Sequence, residues 1–261
     1  MIKNTLLNAM AMALATGVSM SANAGPFGLG GTTWKEEVLL HDGKKIVVTR
    51  SHAYGGSREL GQPPSIKEQD ITFTVPGSGG AIVWKDEYGK EVGGSNFVLL
   101  ALHILNGTPY IVASPNLCRS YNKWGRPNPP YVIFRHDGTE WKRIPFAALP
   151  AEFKDINLSL VYTKDDEKRL TEKSPITAEH IKKENARVRL PENTLILRES
   201  VKQGTSASVV NCEEMIPIET GGGIGIGLFA SQPTHEACAR ACMVMRVRQQ
   251  NCPCDRLFKR K

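Results

Sequence analysis

The side chains best equipped for chemistry in this chain are six cysteines, six histidines and a run of arginines around Trp124. Four of the cysteines fall close together: Cys238 and Cys242 as C-x3-C, then Cys252 and Cys254 as C-x-C. Residues four apart share a helix face, so a returning tail can pair with both, giving nested bridges Cys238–Cys254 and Cys242–Cys252. Cys118 and Cys212 are then left to pin the tail to the main body. Six cysteines admit fifteen connectivities, and spacing alone does not select among them. The competing reading is a four-thiolate metal site. C-x3-C with C-x-C departs from the C-x2-C spacing of zinc ribbons, and an oxidising compartment favours bridges over metallation. The expected state is three disulfides, with no metal and no cofactor.

The histidines are His41, His52, His103, His136, His180 and His235, and none forms H-x-H or H-E-x-x-H. Ser51 and His52 are adjacent, but a serine nucleophile needs its base beside it in space, in an elbow such as G-x-S-x-G, which is missing. Glu36, Glu37, Asp86 and Glu87 read as ordinary strand and turn charges rather than a glycosidase pair. The glycine run Gly221–Gly227 lacks the Lys-Ser/Thr ending of a P-loop and the third glycine of a dinucleotide fingerprint, so it reads as a flexible apolar linker. No catalytic residue is assigned. Triads are recognised by geometry rather than sequence position, which leaves a hydrolytic site assembled in space open.

The segment 116–130 carries the strongest signal for contact. Arg119, Tyr121, Lys123, Trp124 and Arg126 lie between Cys118 and the stiff Pro127-Asn128-Pro129-Pro130. Arginines and aromatics are the residue types that carry interface energy, and a bridge with prolines lowers the entropy cost of presenting them. The rival reading is a packed crossover with Tyr121 and Trp124 in the core.

The elements that must position these residues read as mainly β: antiparallel hairpins, sandwich- or barrel-like, with a small disulfide-stapled helical C-terminal segment. Asp42-Gly43, Asn106-Gly107 and Asp137-Gly138 are hairpin turns flanked by strand-like runs, among them Glu36–Leu40 with Lys44–Thr49 and Tyr131–Arg135 with Glu140–Phe146. Asp70–Val75 alternates like a half-buried strand, and Phe97–Leu105 is a long apolar run. Leu158–Tyr162 is expected to add a further strand. The charged run Lys164–Arg169 reads as a solvated end to the β body. Thr177–Ala186 is a short capped helix, Thr194–Glu199 a return strand, and Thr234–Gln249 a final helix capped by Thr234. The resulting division is 1–24 signal peptide, 25–163 β domain, 164–200 connector, and 201–261 glycine-rich loop with cysteine-rich tail.

The first 24 residues set the address. Lys3, the apolar stretch Leu6–Met20 and Ala22-Asn23-Ala24 before Gly25 read as a secretory signal peptide and its cleavage site, too short to span a membrane. The expected compartment is the periplasm or the exterior, with no transmembrane segment after cleavage. Loss of Lys3 takes the formal charge from +7 to +6. That surplus favours an acidic protein face or an anionic envelope component, and is too modest for a nucleic-acid binder. The basic end Arg256–Lys261 reads as a frayed solubilising terminus. The expected function is an exported, non-catalytic binding protein of the cell envelope, such as an inhibitor or immunity-type protein against a periplasm-acting toxin. The alternative is a periplasmic hydrolase acting on envelope glycan or lipid.

Overall fold

A computed structural model describes residues 31–56, 65–172, 174–204, 208–219 and 223–258. The expected signal peptide, the first two glycines of the 221–227 run and the last three residues of the basic end lie outside the described residues. Two four-stranded antiparallel meanders form the body. The first runs β1 (Gly31–Leu39), β2 (Lys45–Tyr54), β3 (Ile66–Thr74) and β4 (Ala81–Asp86), paired in that order. The second runs β5 (Phe97–Leu105), β6 (Thr108–Pro115), β7 (Val132–His136) and β8 (Trp141–Ile144). Turn chemistry fixes these hairpins. Asn106 and Gly107 both take positive φ, 50° and 78°, as the tightest right-twisting turn requires. Asp137 Oδ1 accepts from the backbone amides of Thr139 and Glu140 at 3.0 Å each, closing the turn before β8.

The two sheets pack face to face. Val38, Val48, Ile71, Phe73 and Trp84 of the first meet Phe97, Leu99, Ile111 and Val132 of the second in one core. The second sheet is covered on its other face too, by Leu149, Phe153, Ile156, Leu160 and Ile196. A strand buried on both faces has no reason to alternate, which is why Phe97–Leu105 reads as continuous apolar sequence. Asn157 ties the layers together. Its amide donates to Leu39 O at 2.9 Å and Leu102 O at 2.8 Å, and its carbonyl accepts from Leu102 N at 2.9 Å.

Several expected elements differ. Leu158–Tyr162, buried as far as Val161, forms no strand, because its backbone is satisfied singly: Leu158 N reaches Leu100 O, and Leu160 N reaches the Asn185 side chain. Thr194–Glu199 likewise makes only an isolated bridge between Asp155 and Leu195. Segment 116–130 opens with a helix, α1 (Leu117–Lys123). The charged run from Lys164 is not a solvated end but the helix α2 (Lys164–Thr171), started by a capping box between Thr163 and Asp166, with Glu167 and Leu170 buried. The helix α3 (Ala178–Asn185) follows its Thr177 cap.

The tail contains β9 (Met215–Pro217) paired with β10 (Gly223–Gly225), then α4 (Ile226–Ala230), α5 (His235–Val244) and α6 (Cys254–Leu257). From Gly223 onward the glycine run is therefore strand and helix start rather than a linker, and its Gly227 amide donates to the Glu213 carboxylate. α5 stops at Val244, short of the expected Gln249. Arg246 takes φ of 54°, and the chain turns so that Val247 can bridge to Ile218. Bridges Cys118–Cys212, Cys238–Cys254 and Cys242–Cys252 are present.

Candidate partner-binding cleft

α1 leaves β6 through Leu117, whose φ of 63° swings the chain out and leaves its side chain 72% exposed. Ser120 Oγ and Asn116 N both reach Asn96 O, fixing the helix to the body. From this helix the contact residues part company. Tyr121 is buried. Trp124 is part-buried, 4.6 Å from the Phe97 ring, with its indole nitrogen on Asn96 Oδ1 at 3.4 Å. Arg119, Lys123 and Arg126 face the tail instead, where they line a cleft of about 680 Å³ with Glu214, Glu219 and Arg248.

The two walls of this cleft are joined at four points. Cys118 is bonded to Cys212. Asn122 donates to Glu213 O at 3.0 Å and accepts from Met215 N at 3.0 Å. Arg126 donates to Cys212 O at 2.6 Å and to Asn122 Oδ1 at 3.1 Å, its guanidinium also lying 5.1 Å over the Tyr121 ring. Arg126 is therefore committed to the junction. Lys123 is engaged as well, by Asn96 Oδ1 at 3.0 Å and by Glu91 at 3.6 Å. Glu214 is taken by Arg256. Arg119 and Arg248, both exposed, make no side-chain hydrogen bond or ion pair among the described residues. Two unspent guanidiniums from opposite walls can hold a carboxylate or another anion with paired, charge-assisted hydrogen bonds.

Arg248 is the cleft residue that sequence reasoning missed. It sits far along the chain from α1, and no local pattern marks it; the Cys118–Cys212 bridge offers the one sequence signal that the two regions meet. Glu36 and Asp86, expected as ordinary strand and turn charges, do lie on strands but are buried. Glu36 is fully buried, accepting from Trp34 Nε1 at 3.1 Å and Arg50 Nη1 at 3.4 Å. Asp86 accepts from Asn96 Nδ2 at 2.8 Å and Phe97 N at 2.9 Å, and burial raises its pKa.

His41, His52 and His103 are placed for packing in the body, whereas His235 is exposed and pairs with Asp255. Ser51 and His52 point to opposite faces of β2, as neighbours in a strand must, so they form no catalytic pair. His52 is 2% exposed and lies 2.9 Å from Glu167, to which Tyr54 also donates at 2.6 Å. Desolvation lowers the His52 pKa. His41 and His103 approach with ring centroids 6.1 Å apart, but His103 Nε2 donates to the backbone carbonyl of Asp155 at 3.1 Å. Burial pushes His103 down to about 4. Neither pair lines a described cleft together with a carboxylate. Among the described residues no helix is long and apolar enough to cross a membrane. No model of a protein family matches this chain, and neither the curated proteins nor the solved structures contain a match to it.

Proposed function

We propose that this is an exported, non-catalytic binding protein of the cell envelope that seats an acidic protein surface in the cleft between α1 and the tail. An inhibitor or immunity-type role against a toxin delivered to the periplasm is the concrete form of this reading. The observation that carries it is the pair Arg119 and Arg248, both without ion pairs among the described residues, on walls held together by Cys118–Cys212 and Asn122. A charge-binding site of this kind needs rigid walls, because each side chain ordered on binding costs about 0.5–1.5 kcal/mol. The net basic chain supports an acidic partner by steering encounter over longer range. Three disulfides support an oxidising compartment. The role itself is inferred from requirements: exported, rigid and basic at one cleft.

A photo-crosslinking amino acid at position 119, with one at Val47 on the outer face of the first sheet as control, tests this in living cells. Position 119 should trap a discrete protein that position 47 does not. Arg119→Ala with Arg248→Ala should then weaken binding of that protein at least about tenfold, less so as salt is raised. Equal trapping at both positions, or unchanged affinity in the folded double variant, overturns the proposal.

A further inference from the structure

We propose that reduction of the two tail bridges turns Cys238, Cys242, Cys252 and Cys254 into a four-thiolate zinc site. The two disulfides are stacked against each other. Cys252 Sγ lies 3.3 Å and Cys242 Sγ 3.7 Å from Cys254 Sγ. The sulfurs of Cys238, Cys242 and Cys254 all lie within 4.8 Å of one another, and all three are buried. Tetrahedral zinc binds thiolates at about 2.3 Å, which places its sulfurs about 3.8 Å apart. Of the spacings between the bridges, Cys242 to Cys254 already matches that figure and Cys252 to Cys254 is shorter than it, and breaking each S–S bond frees the bonded partners to move out to it. The backbone is in position: Cys238 and Cys242 sit one turn apart on α5, with Cα–Cα distances of 5.8 Å to Cys254 and 5.9 Å to Cys252.

Two surroundings suit the ion. Ile216, Phe229 and Val247 pack around the sulfurs and keep water away. A zinc with four thiolates carries two net negative charges, and residues 235–258 supply Arg240, Arg246, Arg248 and Arg256 against Glu236 and Asp255. A body this small needs a staple, and a structural metal serves as well as disulfides do. The bridged and metal-bound tails are therefore alternative closed states of one core.

The conversion balances. Two equivalents of a dithiol reductant each give two electrons and two protons, leaving four protein thiols and two new disulfides on the reductant. Zinc then displaces the four thiol protons as four Zn–S bonds form, so binding tightens as pH rises. Two equivalents of a disulfide oxidant reverse the change and release the metal. Cys118 and Cys212 take no part, since their bridge lies at the α1 junction.

The full chain, reduced without oxygen by a phosphine and freed of metal, tests the site by titration with zinc against a chromophoric chelator and then with cobalt(II). One ion per chain is expected, with thiolate-to-cobalt charge transfer and the visible bands of tetrahedral cobalt. Cys118→Ser with Cys212→Ser should keep both signals, and Cys242→Ser with Cys252→Ser should lose them. Limited proteolysis of the reduced wild-type chain provides a reading that no variant's folding can confuse: zinc should restore protection to residues 213–258. Failure to bind one ion, equal binding by the Cys242/Cys252 variant, or metal uptake with the tail still cleaved each overturns the proposal.

Discussion

In the β body, fifteen buried residues fill the space between the sheets and eleven more form a second core between the second sheet's outer face and the segments over it; among the described residues of the tail, six buried ones make the core and three of them are cysteines. The body is held by area removed from water, at about 25 cal/mol per Å² of apolar surface. The tail has too little such area, and its bridges act largely by restricting the unfolded chain. The difference extends to polar groups. The body can bury a charge pair such as Glu36 with Arg50, because enough packing surrounds it to offset the desolvation. The tail keeps its charges outside, as in Arg256 with Glu214.

The most damaging single change should be Arg50→Ala. It strands the Glu36 carboxylate in the core and should cost about 3–5 kcal/mol, measured by urea unfolding. Arg50→Met with Glu36→Leu should recover most of that loss; an equally large loss in the double variant would mean that packing rather than charge is at stake. Next, Cys238→Ser with Cys254→Ser should cost about 3 kcal/mol for a bridge spanning 16 residues, confined to the tail. Protease should cut the tail while the far-UV spectrum of the sheets persists. Loss of the β signal would show that body and tail fold as one unit.

A more gradual effect, spread along the pH scale, follows from His103. Burial holds its folded-state pKa at about 4, below the ordinary 6.5, so between those values the unfolded chain binds a proton that the native protein refuses. The body should be most stable above pH 6.5 and lose up to about 1.4 kcal/mol per pH unit as acidity rises towards 4. His103→Phe should flatten that slope in thermal melts taken across the range, and an unchanged slope would move the acid sensitivity to another group. Least of all, Arg119→Ala should alter stability by no more than about 0.5 kcal/mol, since its guanidinium makes no hydrogen bond or ion pair among the described residues. A clear drop in melting temperature would place Arg119 with Arg126, as a structural residue of the junction.

Much of this architecture was legible because short-range chemistry decides it. Asp42-Gly43, Asn106-Gly107 and Asp137-Gly138 set turns within a few residues, and Cys238 and Cys242 share a helix face by spacing alone. Where long-range partners decide, the sequence was silent. Leu158–Tyr162 looks like a strand, yet Asn185 satisfies it from across the body. Lys164–Arg169 looks solvated, although Thr163 and Asp166 spell a capping box; its charges hid the buried Glu167. In the cleft, Arg119, Lys123 and Arg126 came from local composition, whereas their sorting into free, paired and structural roles depends on Glu91, Asn96 and Cys212.

The amide of Asn157 has a consequence for how copies of this protein meet one another. A sheet's outermost strand presents bare N–H and C=O groups on which a second chain can add itself. On β5 those groups are taken, at Leu102 by Asn157 and at Leu100 by Leu158. On β1, Ile176 exchanges hydrogen bonds with Lys35 and Glu37, and on β4 the Trp141 indole covers Val83 O. Three of the four open margins are thus interrupted by side chains and single residues rather than by further strands, which removes part of the template on which a second chain could pair.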